Sequence, residues 1–368
     1  MSVAGIGGTA PAASPHDLDP AGTAAVDRVV QQLLERRGRV LAGVGTELEL
    51  LSATLLASGS GGKRLRAAFC LWGARAASGG HDVAGATEAA AALELFHLAA
   101  LVHDDLMDHS DERRGRPTVH RVFADDHRRR GGAGDPDDHG AAVAVLAGDL
   151  CLTWSDDLMA DAVAAAPATG AAAREVWSMM RDEVLAGQYL DVLGQTGVRT
   201  SVDQVRRVLH YKSAKYTVEH PLLLGATLAG APAALVASLR ELGLAVGEAF
   251  QLRDDVLGVF GDPGRTGKPA VDDVREGKRT MLVAHAQERA TRTQARVLRR
   301  HLGDPAATLA GVAAVREVLV ATGALRRTED AIEELVERAH DVLDGLDVDD
   351  RSRHALASLT DACAWRAA

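Results

Sequence analysis

"LELFHLAALVHDDLMD", residues 93–108, decides how the rest of the chain is read. Its apolar side chains recur three and four positions apart, the spacing of one helix face, and three aspartates close the run. Asp104 and Asp108, four residues apart, project from a common face about one turn from each other. That face continues the stripe that a core would bury, so a helix end shedding charge into solvent is the weaker reading. Two close carboxylates on a partly desolvated face repel, and the usual remedies are protonation, an arginine or a divalent cation. Hard oxygen ligands of this kind suit Mg²⁺, which keeps several waters and is shared between carboxylates and a substrate phosphate.

Outward from this segment nearly everything after Thr23 reads as helix. Breaks fall at "SGSGG" (58–62), "SGGHD" (78–82), "RRRGGAGDPDDHG" (128–140), "APATG" (166–170), "GQTGVRTS" (194–201), "GDPGRTGKP" (261–269) and "GDPAA" (303–307). The expectation is ten to twelve helices, no strand pattern and no repeat, in one all-α domain of residues 21–368. Residues 1–20, small and rich in Pro and Gly, are expected to be a disordered tail. The biased loop 125–140 reads as a solvated connection. His220 to Leu239 carries no charge, but Pro221, Gly225, Gly230 and Pro232 interrupt it, which predicts two buried helices joined by a turn rather than a membrane span.

Of the 368 residues 47% are hydrophobic and only 3% aromatic, which favours helices built from Ala, Leu and Val. A net charge of −10 opposes a broad phosphate-backbone footprint, so no nucleic-acid partner is expected. Cys70, Cys151 and Cys363 lie far apart and form no zinc spacing. The first basic residue is Arg28, unlike the charged start of a signal peptide, and a cytoplasmic location is the default expectation.

A second acidic segment, "GEAFQLRDDVLGVFGDPGRTGKP" (247–269), again runs an apolar helix into Asp254 and Asp255, with Gly258 where a third acid would stand. "SDDLMADA" (155–162) imitates the first site but has Ala160 at the third acidic place, and no basic cluster follows it. It reads as a decoy. Cations accompany the two real sites. Lys63 and Arg66 flank a helix start after glycines, a place suited to phosphate. Arg113 and Arg114 follow the first acidic helix, Lys212 sits in "HYKSAKYT", and Lys268 follows the second. Neither "GRTGKP" nor "SGSGGKR" completes a Walker A pattern, because Asp262 and Pro269 break the first and Ala57 and Arg64 the second.

With these pieces in order, the chain resembles the trans-prenyl diphosphate synthases, or polyprenyl synthetases, over roughly residues 25 to 365. The motifs are "GGKRLR", "LELFHLAALVHDDLMD", "RRGRPT", "LAGD", "AGQYLD", "YKSAKYT", "FQLRDD" and "GDPGRTGKP". The resemblance implies an isoprenoid-synthase helical bundle with a central cavity, Mg²⁺ as cofactor (three ions), and a homodimer. Its substrates would be isopentenyl diphosphate and an allylic diphosphate. Asp104, Asp108 and Asp254 would hold the metal, with Asp105 and Asp255 in support. Arg113, Lys212 and Lys268 would grip the allylic diphosphate; Lys63, Arg66, His97 and Arg114 would bind isopentenyl diphosphate. Gln188, Ser213 and Gln251 would point oxygens towards an allylic cation, and Asp191 would orient neighbouring basic groups. The catalytic set is thus Asp104, Asp105, Asp108, Lys212, Gln251, Asp254 and Lys268.

Product length follows from geometry. A tail running towards the N-terminus of the first acidic helix passes Ala99 and Ala100, both small, before Phe96, the first bulky candidate for a floor. The expectation is geranylgeranyl diphosphate, C20. Gly258, and a C-terminal "DACAWRAA" whose only late basic residue is Arg366, depart from the family pattern. One rival is a class I terpene cyclase, which has no use for Lys63, Arg66, His97 and Arg114 and would want more aromatic lining. A non-catalytic partner subunit is the other, though it could dispense with the acidic sites.

Overall fold

The computed structural model describes residues 18–195, 201–261, 274–304 and 306–365. Asp19 caps the first helix, α1 (Pro20–Val44), by accepting the Gly22 N–H at 3.0 Å, and Pro20 occupies the first turn, where its missing N–H costs nothing. Helix therefore begins inside the last residues of the expected tail, the remainder of which lies outside the described residues. After a short 3₁₀ turn come α2 (Glu49–Gly59), α3 (Leu65–Ala77) and α4 (Ala86–Met107).

α4 is the axis of the N-terminal half and packs on α1, on α3 and on the long α6 (Pro136–Ala165). Ala89, Ala90, Ala91 and Ala92 are wholly buried along it, so its neighbours approach from all sides and only small side chains fit. Between α4 and α5 (Val119–Arg130) the chain makes an antiparallel hairpin of two-residue strands, β1 (Glu112–Arg113) and β2 (Arg116–Pro117). This is a correction to the strand-free expectation. Strands of two residues carry no alternation to read, and the turn that makes them is Arg114–Gly115, both at positive φ (54° and 70°) as a two-residue hairpin turn requires. The expected loop 128–140 is also shorter than read, because Asp135 caps α6 at Pro136.

α7 (Gly170–Gln195) is followed by α8 (Val202–Val208), which runs without a break into a π-helix (Leu209–Glu219) and then into α9 (His220–Leu228). α10 (Ala233–Phe260) is the second helix expected across 220–239, turned at Gly230, but its first turns are largely exposed where burial was expected. Helices α11 (Met281–Arg289), α12 (Arg292–His301), α13 (Leu309–Ala321), α14 (Ala324–Gly345) and α15 (Asp350–Ala364) form the C-terminal half, with α14 along α10. Short helices of this kind bring the number among the described residues above the ten to twelve expected.

The π-helix is held from two sides at backbone distance. A Cβ on Gly187 of α7 would stand 2.4 Å from the Lys212 nitrogen, and one on Gly247 of α10 would stand 2.4 Å from the Ala214 carbonyl oxygen. Such wide-bore turns occur mostly at functional sites. Here they carry Lys212 and Ser213. Among the described residues no helix is long and apolar enough to cross a membrane.

Candidate active site

The last turn of α4 supplies the acids. Asp104 Oδ1 accepts from Lys212 Nζ at 3.1 Å and from the Gln188 amide at 3.1 Å. Lys212 also donates to Asp191 at 2.6 Å, so one ammonium joins α4, α7 and the π-helix. Burial raises the Asp104 carboxyl, but Lys212, Lys278 and Arg113 together hold it below its ordinary value. Asp108 behaves oppositely: burial and the charge of Asp104 push it up to about 6. The two acids share a face, as their spacing requires, and their repulsion is only partly answered by protein cations. Lys278 stands 3.9 Å from Asp108 and 2.8 Å from Glu276, while Ser110 donates to Glu276 at 3.3 Å.

Asp105, expected in the catalytic set, is turned into the protein. Both its oxygens accept from Arg113 Nε, at 2.7 and 2.9 Å, and its side chain is buried. Burial opposes the Arg113 charge, yet the pairing with Asp105 raises its pKa. Removing one partner of a buried pair of this geometry costs about 3–5 kcal/mol. Asp105 thus holds Arg113, and with it the hairpin, beside the cavity that both residues line.

Two helical turns back from Asp104, a second field is predominantly basic. Arg66 lies over the Tyr216 ring at 4.3 Å and donates to Thr217 at 3.0 Å. Arg114, at the hairpin tip, has no carboxylate partner among the described residues. Half-buried His97 is driven well below its usual range by burial and then by Arg66, Arg113, Arg114 and Arg64, and its Nδ1 lacks a partner. A cavity of about 190 Å³ opens here, lined by Ser60, Gly61, Gly62, Asp105, Arg113 and Arg114. Arg64 is not part of this field. Buried at positive φ, it is consumed by Asp27 (2.6 Å), Glu94 (3.2 Å) and the Gly59 carbonyl (2.8 Å), which ties α1, α4 and the glycine loop together between Lys63 and Arg66.

On α10, Asp254 is exposed and Asp255 buried, with Gln251 donating its amide to Asp255 at 2.9 Å. Gln188 and Gln251 were both expected to present oxygens to a cation; in each the amide N–H₂ is the end spent on an aspartate, as donor. Arg253, between them in "QLRDD", forks onto Glu329 at 2.9 and 2.7 Å and reaches the Ala364 carbonyl at 2.6 Å. Lys268 and Arg366 lie outside the described residues. Sequence reasoning missed Lys278 and Glu276 altogether: in "VREGKRT" nothing but a Gly277 turn marks them, and only the tertiary fold returns them to Asp108.

Along α4, Ala99 is wholly buried and Ala100 half-buried. Phe96 meets Trp177 of α7 edge-on, ring centres 5.7 Å apart, and Tyr216 at the same distance. The decoy "SDDLMADA" is one: Asp156 accepts from Arg174, Arg181 and the Trp177 indole, and Asp157 pairs with Arg37.

The sequence matches the Polyprenyl synthetase family over residues 49–319. It is 34% identical over 320 residues to a geranylfarnesyl diphosphate synthase of Aeropyrum pernix, covering 86% of this chain and 92% of that protein. Identity to a (2E,6E)-farnesyl diphosphate synthase of Mycobacterium tuberculosis is 33% over 302 residues, 81% of this chain and 78% of that one. In structure it is similar to a geranylgeranyl pyrophosphate synthase from Corynebacterium glutamicum complexed with isoprenyl diphosphate and magnesium. The TM-score is 0.90 and the identity 39%, covering 95% of this chain and 99% of the other.

Proposed function

The chain belongs to the polyprenyl synthetase family and is a trans-prenyl diphosphate synthase, and on that premise we propose that it condenses isopentenyl diphosphate with an allylic diphosphate, with C20 geranylgeranyl diphosphate as main product. One observation carries the proposal: an acidic pair, Asp104 and Asp108, adjoins a separate field where Arg66 and Arg114 accompany His97, which their charges and burial press towards its uncharged form. A cyclase needs only the first.

Asp104 and Asp108 fit Mg²⁺ by donor chemistry, since they are hard oxygens one turn apart whose nearby lysines are shared with Asp191 and Glu276. Among the described residues no group of three or more His, Cys, Asp or Glu side chains could hold an ion alone. This suits a metal that completes its shell with substrate phosphate and water. Asp254 would take part from α10. The bound ions would neutralise charge on the diphosphate as its carbon–oxygen bond breaks.

The chain's own residues do the rest. Lys212, fixed by Asp191, and Lys278, fixed by Glu276, stand beside the acids as preorganised cations for the departing diphosphate. Arg113, held rigid by Asp105, adds a third. Arg66, His97 and Arg114, with Lys63, hold isopentenyl diphosphate so that its alkene faces the allylic carbon. Buried apolar faces of α4 and α7 keep water from the cation until the new carbon–carbon bond forms. Proton loss then completes the step, the released diphosphate accepting the proton.

The growing tail would run along α4 past Ala99 and Ala100 towards Phe96. Ala99→Phe should therefore shorten the product distribution, and an unchanged distribution would refute this path. The reading also includes a cytoplasmic location and a homodimer, whose contact face would use Val145 and Leu146 of α6 with Leu185, Tyr189 and Val192 of α7, all exposed. The deciding experiment incubates the protein with Mg²⁺, isopentenyl diphosphate and each of dimethylallyl, geranyl and farnesyl diphosphate, then sizes the dephosphorylated alcohols. Linear alcohols that require both substrates are expected; cyclic hydrocarbon from the allylic substrate alone would replace the proposal with the cyclase.

A further inference from the structure

Resting on that reading and deepening it, we infer that Trp177 is a specificity-determining residue: with Phe96 it closes the far end of the tail path, and Asp156 is the positioning residue that sets it. Trp177 lies in none of the acidic or basic motifs, and Asp156 belongs to the acidic segment that reads as a decoy.

α4 packs chiefly on α6, α3 and α1, whereas α7 packs on the π-helix, α9 and α6. Side chains bridge the two helices at two levels. At the upper level Gln188 reaches Asp104 and Gln195 reaches Asp108, at 3.1 and 3.4 Å. Two turns lower, roughly 12 Å down α4 at 1.5 Å per residue, the bridge is Phe96 on Trp177, rings edge-on at 75°. On α4 the positions between these levels include Ala99 and Ala100. A tail whose diphosphate end sits at Asp104 meets small side chains first and an aromatic wall second. Phe96 is only half of that wall.

The other half is braced from outside. Trp177 is wholly buried, and its indole N–H donates to Asp156 Oδ1 at 3.0 Å. One acceptor would satisfy that N–H. Asp156 is held beyond this need, by Arg181 on Oδ1 at 2.7 Å and by Arg174 on Oδ2 at 2.8 Å. The carboxylate is thereby fixed in plane, and the indole with it. Arg181 also lies 5.8 Å from the ring it helps to orient. Phe96 lacks comparable bracing, since its second aromatic neighbour is Tyr216, which is shared with Arg66. The immovable side of the stop is accordingly the α7 side, and loosening it should let longer tails through.

The test sizes products of the purified full-length chain with Mg²⁺, isopentenyl diphosphate and farnesyl diphosphate, for wild type, Trp177→Ala, Asp156→Ala and Asp156→Asn. Trp177→Ala should move the main product at least one five-carbon unit beyond wild type. Asp156→Ala should broaden the distribution in the same direction, while Asp156→Asn, which still accepts the indole N–H, should stay closer to wild type. A merely structural role for Asp156 would lower total turnover and leave the ratio of chain lengths unmoved. Wild-type chain lengths from folded Trp177→Ala overturn the inference and leave the condensation reading standing. If Trp177→Ala does not fold, Asp156→Ala at its half-exposed position decides by the same ratio. Absence of any prenyl diphosphate from wild type would instead sink the condensation reading, and this inference with it.

Discussion

Asp108 and Asp105 are three positions apart and do opposite work. Burial and the charge of Asp104 push the Asp108 carboxyl up to about 6, so its ionised form costs stability at neutral pH, above that value. Asp108→Asn should therefore raise the melting temperature of the metal-free protein by about 2–4 °C, yet lower turnover about 10²-fold or more by removing a metal oxygen. Calorimetry and steady-state rates on one preparation check both signs together, and a destabilised variant would contradict the crowded-acid account. In the basic field, Arg66→Ala or Arg114→Ala should raise KM for isopentenyl diphosphate about tenfold or more, since a charge-assisted contact is worth about 1.5–3 kcal/mol. KM for the allylic substrate should move far less; equal increases would merge the two fields into one. The spacing of Asp104 and Asp108 was legible because helical periodicity is local. Lys278 was not, because a lysine's reach is fixed by tertiary structure. Arg64, between the phosphate candidates Lys63 and Arg66, carries no sequence mark of its role, and only its three partners reveal a tie between helices.

Among the elements, the π-helix is the one the sequence conceals best. "HYKSAKYT" has ordinary helical composition, and a change from i+4 to i+5 bonding leaves no mark on hydropathy. Gly187 and Gly247 were visible as residues but not as the two walls that seat it. Gly247→Ala forces a methyl against the Ala214 carbonyl and should cost about 1–3 kcal/mol. It should also displace Lys212 from Asp104 and Asp191, lowering kcat more than it raises either KM. Chemical denaturation and kinetics separate the two effects; full stability with full kcat would remove the clamp from the argument. The hairpin at Arg113–Arg116 was hidden for a different reason. Its strands are too short to alternate, and the turn residue Arg114 occupies a conformation that glycine or asparagine usually takes. The two helices meeting within 220–239 were legible because Pro and Gly punctuate them, whereas the exposure of the first turns of α10 was not.

For the whole molecule, the all-helical class followed from periodicity and scarce aromatics, whereas the pairing of helices did not. The exposed stripe of Leu185, Tyr189 and Val192 lies on one face of α7, the helix that also supplies Gln188 and Asp191. Leu185→Asp combined with Tyr189→Asp should convert a dimer to a monomer in sedimentation velocity, and an unaltered sedimentation coefficient would move the interface elsewhere. Arg253 brings the far end of the chain into the same structure. Its guanidinium grips the last carbonyl of α15 and lies 5.5 Å from the Trp365 ring, immediately before Asp254 in sequence. Trimming α15 by its final turn would leave that anchor slack and loosen the turn of α10 that presents the second acidic pair to the cavity's far wall, so the acids of one helix are steadied by the end of another.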